Sequence, residues 1–117
     1  MNAKFQIFKS TKNSQYYFHL QAPNNKIILA SEGYTTKDNC KNGIESVKTH
    51  SPYDVYYKRL ATIHSQFYFT LTASNNQVVG MSEMYESIQG RDNGIESVKS
   101  NAPTALVEDL TLNAVYS

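Results

Sequence analysis

The heptapeptide Asn42-Gly-Ile-Glu-Ser-Val-Lys48 occurs a second time, 51 residues later, as Asn93-Gly-Ile-Glu-Ser-Val-Lys99. The same offset carries Gln15-Tyr-Tyr-Phe-His-Leu-Gln-Ala22 onto Gln66-Phe-Tyr-Phe-Thr-Leu-Thr-Ala73 without a gap. It also carries Asn24-Asn25 onto Asn75-Asn76, Ser31-Glu32 onto Ser82-Glu83, Tyr34 onto Tyr85 and Pro52 onto Pro103. Between Gln15–Pro52 and Gln66–Pro103, 18 of 38 positions are identical. The chain is two copies of one unit. Two copies are too few for a solenoid, which needs at least three repeats to bury a continuous core, so the expected arrangement is a closed pseudo-twofold dimer within one chain.

Each unit changes its hydrophobic period along its length. Phe5 to Ser10 alternates weakly, and Tyr16, Phe18, Leu20 and Ala22 alternate with polar neighbours, as a half-buried strand does. Pro23-Asn24-Asn25 supplies a turn, and the β-branched run from Lys26 to Glu32 returns as the second arm of a hairpin. From Thr35 the period becomes helical, with Cys40, Gly43, Ile44 and Val47 on one face, Thr35 or Thr36 as N-cap and Ser51-Pro52 as terminator. Asn42-Gly43 and Asn93-Gly94 are strong hairpin dipeptides, but their polar, non-alternating flanks favour a helix with an interior glycine. That glycine costs about 1 kcal/mol relative to alanine, so its recurrence implies a helix lying close to the sheet or to its twin. Tyr53 to Leu60 is expected as a strand that closes the first unit and opens the second, with Tyr56 in the place of Phe5. Ala105 to Leu110 is the matching closing strand of the second unit.

The fold expected is α+β: two tandem β-β-β-α-β repeats, about 4–55 and 56–110, forming one antiparallel sheet with two helices on one face, in a single domain over 1–117. At 117 residues the chain buries enough surface to fold without staples, and one cysteine permits no internal disulfide. A net charge of +1 gives no global field toward nucleic acid or acidic membranes. The longest aliphatic run, Ile27 to Ala30, is far below a membrane span, no signal peptide is legible at the start, and the expected location is the cytoplasm.

The alternating Tyr-x-Phe-x-Leu-x-Ala strand, the Asn-Asn turn, Ser-Glu-x-Tyr, Gly-Ile-Glu-Ser-Val-Lys and the following proline resemble the YegP-like family of small bacterial proteins, over nearly the whole chain. The resemblance implies a strand-strand-strand-helix-strand unit and two units that exchange their closing strands within one sheet. Ala105 to Leu110 would then lie near Phe5 to Lys9. Gly80, Met84 and Arg91 depart from Leu29, Gly33 and Cys40 of the first copy. The resemblance carries no activity and no catalytic residues.

Duplication offers an internal test of candidate chemistry, because a duplicated site keeps its reactive groups in both copies. His19, His50 and His64 face Thr70, Asn101 and Asn13, and Cys40 faces Arg91, which argues against a metal or thiol centre; no cofactor is expected. Glu45, Ser46 and Lys48 recur as Glu96, Ser97 and Lys99, but Ser46 and Lys48 point to different helix faces, so a Glu45–Lys48 surface pair is the better reading. Ser31, Glu32 and Tyr34, with Ser82, Glu83 and Tyr85, are read as structural. Glu32 would accept backbone hydrogen bonds, so that its replacement by Gln, together with Glu83→Gln, would lower the melting temperature. Gly43, Ile44, Glu45 and Val47, repeated as Gly94, Ile95, Glu96 and Val98, are the helical part of the repeat signature. Helices on one face leave the other open, and Tyr17, His19, Tyr68 and Thr70 are the candidate binding residues there. Repeated tyrosines on a bare sheet can stack single-stranded bases, yet their uncharged neighbours Gln15, Gln21, Gln66 and Thr72 make nucleic acid a poor partner. The preferred function is a non-catalytic binding or protein-interaction module with a protein or small-ligand partner, in a monomer with an internal pseudo-dimer. The alternatives are single-stranded nucleic-acid or nucleotide binding on the open face, and a small enzyme with an asymmetric site near His19 or His64.

Overall fold

The structure, a computed structural model, describes residues 2–112; residue 1 and residues 113–117 of the expected 1–117 domain lie outside the described residues. Seven strands, β1 (Lys4–Lys9), β2 (Tyr16–Gln21), β3 (Ile27–Ala30), β4 (Tyr57–Ala61), β5 (Phe67–Thr72), β6 (Val78–Met81) and β7 (Leu106–Asp109), accompany two helices, α1 (Lys37–His50) and α2 (Ile88–Asn101). The strands form one sheet in the order β4-β5-β6-β3-β2-β1-β7. The repeats meet where β3 pairs with β6 at Ala30 and Met81, two residues related by the repeat itself, so the pseudo-twofold axis passes through that pair. The exchange is present: the strand after α1 pairs with β5 of the second repeat, and β7, after α2, pairs with β1 of the first. From β4 to β1 every junction is antiparallel, as expected. β7 adds in parallel, which makes the whole sheet mixed.

The helices lie where their caps and apolar stripes place them. Thr36 Oγ1 accepts the Asn39 N–H at 3.1 Å and Ser87 Oγ accepts the Gly90 N–H at 2.9 Å, which satisfies a first-turn donor in each helix. The stripes Cys40, Gly43, Ile44, Val47 and Arg91, Gly94, Ile95, Val98 are buried against the sheet face that carries Phe5, Ile7, Phe18, Leu20, Leu29, Phe69 and Leu71. Each of these large apolar side chains contributes about 1.5–3 kcal/mol by leaving water. α1 reaches β6 as well as β2, and α2 reaches β3 as well as β5, so each helix crosses the seam and ties the two repeats into one core. The Asn-Gly steps are helical, not turns, and their glycines give room to Tyr34 and Tyr85. A Cβ on Gly43 would stand 2.8 Å from Tyr34 Cζ, and one on Gly94 would stand 2.8 Å from Tyr85 Cζ.

Two expectations need correction at the junction of the repeats. Residues 54–56 form a 3-10 turn, so the strand starts only at Tyr57. Tyr57, not Tyr56, occupies the place of Phe5: it pairs with Leu71 as Phe5 pairs with Leu20. The cause is the hairpin loop before each central strand. Ser10 N–H bonds Gln15 O across one loop and Thr62 N–H bonds Gln66 O across the other, so the second loop is one residue shorter and shifts its preceding strand out of the 51-residue frame.

The two outer flanks of the sheet differ for the same topological reason. β1 is covered by β7, whereas β4 is an edge among the described residues, because the strand that would close the first repeat is β4 itself. Under β7 the first repeat places apolar Ile7 and Cys40, both fully buried. In the structurally equivalent places the second repeat has Arg59 and Arg91. Arg59 pairs with Asp54 at 2.9 Å and with Asp92 at 3.5 Å, Arg91 pairs with Asp92 at 3.2 Å, and Lys99 pairs with Asp54 at 2.9 Å. A charged flank on a free strand edge discourages pairing with another chain.

Candidate binding groove at the repeat seam

The sheet face without helices carries Gln6 and Phe8 of β1, Tyr17 and His19 of β2, and Tyr68 and Thr70 of β5, and the structure does not bring the four predicted residues together. β2 and β5 lie three strand spacings apart, about 14 Å, so Tyr17 and Tyr68 sit on opposite sides of the seam. Tyr17 stacks on Phe8 with ring centroids 5.7 Å apart, and its hydroxyl accepts the Asn13 side-chain N–H at 2.9 Å. His19 Nε2 lies 2.6 Å from Gln6 Oε1, and the Gln6 amide donates to Glu108 Oε1 at 2.7 Å, a polar clasp that holds β7 to β1 and β2. Burial of the imidazole lowers the His19 pKa. Of the four, Thr70 is buried, and it lines a groove.

That groove, about 360 Å³ in volume, lies on the pseudo-twofold axis and is built from repeat-equivalent pairs: Ile27 with Val78, Ala30 with Met81, and Glu32 with Glu83. Its floor is aliphatic, and Val78 and Met81 are 42% and 47% exposed, a high exposure for side chains in the middle of a sheet. Bulges create it. The register shifts between Leu20 and Gln21 and again between Leu71 and Thr72, so Ile27 pairs with Gln21 and Val78 with Thr72 on the open face, while Ile28 and Val79 turn inward. The period-two reading cannot show this, because strict alternation from buried Leu29 would send Ile27 to the helical side.

Ser31 and Ser82 fix the ends of the groove. Ser31 Oγ accepts the Phe18 N–H at 2.9 Å and donates to Glu32 O at 2.9 Å; Ser82 Oγ does the same for Phe69 and Glu83, at 2.9 and 2.8 Å. Glu32 and Glu83 contribute only their backbone carbonyls to this motif. Among the described residues neither carboxylate has a hydrogen-bond or ion-pair partner, so the backbone-bonded Glu32 expected from sequence is corrected to an exposed carboxylate at the groove's end. Tyr34 and Tyr85, beyond these glutamates, pack against the core as expected, and burial raises both phenol pKa values.

The remaining reactive groups stand apart. His64 is exposed at the tip of the β4–β5 hairpin. His50 links the repeats: its Nδ1 lies 2.7 Å from Ser46 O, and its Nε2 accepts the Ser74 N–H at 3.1 Å. The counterpart of Ser74 is Pro23, which has no N–H, and the counterpart of His50 is Asn101, which bonds Ser97 instead. Cys40 is fully buried, and burial pushes its thiol up to about 11. The Glu–Lys surface pair forms only in the second repeat, Lys99 to Glu96 at 3.2 Å, whereas Lys48 lies 5.9 Å from the Phe5 ring centroid. No group of three or more His, Cys, Asp or Glu side chains among the described residues is placed to hold a metal ion. No described helix is long and apolar enough to cross a membrane.

Comparison with known proteins places both repeats. The family model described as a domain of unknown function, DUF1508, matches residues 11–57 and 64–109. A UPF0339 protein of Bordetella pertussis is 52% identical over 84% of this chain and 88% of its own length. UPF0339 protein YegP of Escherichia coli is 42% identical over 92% and 96%. The chain is also similar to two solution NMR structures. That of a UPF0339 protein from Shewanella oneidensis has a TM-score of 0.88 at 44% identity, covering 94% of this chain and 92% of that one. That of the E. coli protein yegP, described as of unknown function, has a TM-score of 0.88 at 40% identity, covering 94% of each.

Proposed function

Because this chain belongs to the DUF1508 family, twice over in one sheet, and its relatives bring no assigned activity to it, we propose a function from the groove alone: a non-catalytic interaction module that binds on the open sheet face at the seam between its repeats. The observation that carries this reading is the lining of the groove by five repeat-equivalent pairs, with aliphatic side chains left in water at the pseudo-twofold axis. Exposed apolar surface is unfavourable without a partner, and binding sites combine an apolar floor with a few polar groups at the rim. We take the two repeats as one cytoplasmic domain acting as a unit. Glu32, Glu83 and Glu108 make the face a poor surface for phosphate backbones, which weighs against base stacking. His19 and His64 lie on separate strands and turns, with no second reactive group arranged around either, which weighs against an asymmetric enzyme site.

Amide chemical-shift mapping with a panel of small apolar fragments tests the reading. Shifts clustered on Ala30, Thr70 and Met81, and lost in Met81→Lys, are the expected result. Shifts centred on His64, or spread evenly over the surface, would overturn it.

A further inference from the structure

The seam groove has an apolar middle and a carboxylate at each end, and this pattern specifies a ligand more narrowly than an interaction surface does. Glu32 and Glu83 are each two residues beyond the Ala30–Met81 pair, in opposite directions along antiparallel strands. Four residue steps of about 3.3 Å separate their backbones by about 13 Å along the strands. Between them lie Ala30 and Met81, with Ile27 beside Glu83 at one end and Val78 beside Glu32 at the other. Both carboxylates are exposed, and neither is engaged by a cation within ion-pair distance among the described residues. The nearby cations leave them without an ion pair: Lys4 is held by Glu108, Lys58 stands on β4 opposite Thr70, and Lys26 lines the adjoining groove with Glu83 beyond ion-pair distance.

We propose that the groove binds a linear diammonium compound of the polyamine class, its methylene chain across Ala30 and Met81 and one ammonium at each end, where Glu32 stands beside Val78 and Glu83 beside Ile27. The inference rests on the interaction-module reading and adds the ligand's charge, polarity and shape. A second copy of the chain seated face to face would bring the carboxylates of both copies to one groove, so like-charge repulsion disfavours it as the occupant. A neutral apolar ligand would leave both carboxylates unused. A dication matches both ends, and its flexible chain follows a groove that has no deep pocket. The repeats are not equal: Lys26 lines the neighbouring groove together with Glu83, whereas its repeat counterpart is the uncharged Gln77. The local field around Glu32 is therefore the more negative, and Glu32 contributes more to binding.

The test is amide shift titration of the full chain with putrescine, spermidine and the hexane, octane and decane diamines. Octylamine and octanediol serve as single-charge and neutral controls. Diammonium compounds are expected to shift Ala30, Thr70 and Met81 with an optimum at the longer spacers. Glu32→Gln and Glu83→Gln should each weaken binding by about two- to fivefold, Glu32→Gln the more, at unchanged melting temperature. The double variant should lose the chain-length optimum. Equal binding of octanediol would overturn the diammonium assignment while leaving the interaction surface standing. So would shifts at Glu45, Glu86 and Glu108 as large as those at the seam, which mark nonspecific counterion binding. Preference for a lysine-containing peptide over every free diamine would overturn the small-molecule assignment. Silence of the seam toward the amines and the apolar fragments alike would overturn both readings.

Discussion

Leu29 fills the space in which its repeat counterpart, Gly80, has no side chain: a Cβ on Gly80 would stand 2.6 Å from Leu29 Cγ. Near a twofold axis two equivalent side chains compete for one volume. Leucine in both copies would clash, and glycine in both would leave a void. The chain resolves the conflict by breaking its own symmetry, with Leu29 fully buried across the seam. Gly80→Leu is therefore expected to destabilise by about 1–3 kcal/mol through overpacking, and Leu29→Gly by about 3–5 kcal/mol through a cavity and added backbone freedom. The double exchange Leu29→Gly with Gly80→Leu moves the side chain to the other side of the axis and should recover about 1–3 kcal/mol relative to additivity. Urea unfolding of the four proteins measures the cycle; strict additivity would show that the two sites do not share a volume.

Gly43 and Gly94 are expected to resist replacement by the best helix former. In an exposed helix, glycine to alanine gains about 1 kcal/mol. Here the new methyl group meets the ring of Tyr34 or Tyr85, with Phe18 or Phe69 at 3.1 and 3.2 Å behind it. Accommodating the methyl group displaces these rings from their packing between helix and sheet, so Gly43→Ala and Gly94→Ala should each destabilise by about 1–2 kcal/mol. In a Tyr34→Ala background the sign at position 43 should reverse. Thermal melts of these variants decide the matter, and a stabilising Gly43→Ala in the wild-type background would contradict the contact.

Much of this arrangement is legible in the sequence because duplication supplies its own comparison. The repeated heptapeptide fixes two helices, the repeated Gln-x-Tyr-Phe strand fixes two sheet centres, and a recurring helical glycine announces close approach before any coordinate is known. The frame of Tyr57 is not legible from a constant offset, since a single missing loop residue shifts one strand while its neighbour stays in frame. The groove is hidden for a related reason. Ile27 and Val78 reach the open face only through bulges, and a bulge is a choice between two pairings of the same alternating sequence, made by the neighbouring strand. The Leu29–Gly80, Cys40–Arg91 and His50–Asn101 mismatches are plain in the sequence. Their meaning depends on the axis, the free edge and the missing N–H of Pro23, which only the assembled fold supplies.

Cys40 and Arg91 report whether a strand covers their flank. Transplanting the arginine, Cys40→Arg, places a guanidinium in a fully buried site beside β7 and should cost about 3–5 kcal/mol or displace β7 from β1. The reverse change, Arg91→Cys, removes a buried guanidinium from its pair with Asp92 and its contact with the Phe67 ring, and should cost about 1–3 kcal/mol, less than the transplant. Hydrogen exchange at Phe5 and Ile7, which face β7, separates displacement from global unfolding. In the native protein the Cys40 thiol, raised to about 11 by burial, should react with a disulfide reagent at pH 8 only through unfolding, at a rate that climbs with added urea.

His19 gives the fold a defined acid sensitivity. The imidazole is held between Gln6 and the Phe8 ring, whose centroid lies 5.2 Å away, and its burial favours the neutral form. A histidine whose folded pKa lies below its unfolded value binds fewer protons when folded. Its contribution to stability is therefore complete above the unfolded value of about 6.5 and is lost as pH falls through the folded value. Protonation also puts a cation into the clasp through which Gln6 joins His19 to Glu108, so the loss should be felt at β7. Urea midpoints between pH 7.5 and 5 should fall for the wild type and fall less for His19→Thr, the residue the second repeat uses at this place. The His19 ring resonance should titrate below 6.5 in the folded protein. An unchanged slope in His19→Thr, with a ring titration at or above 6.5, would show that burial does not set the protonation of this side chain.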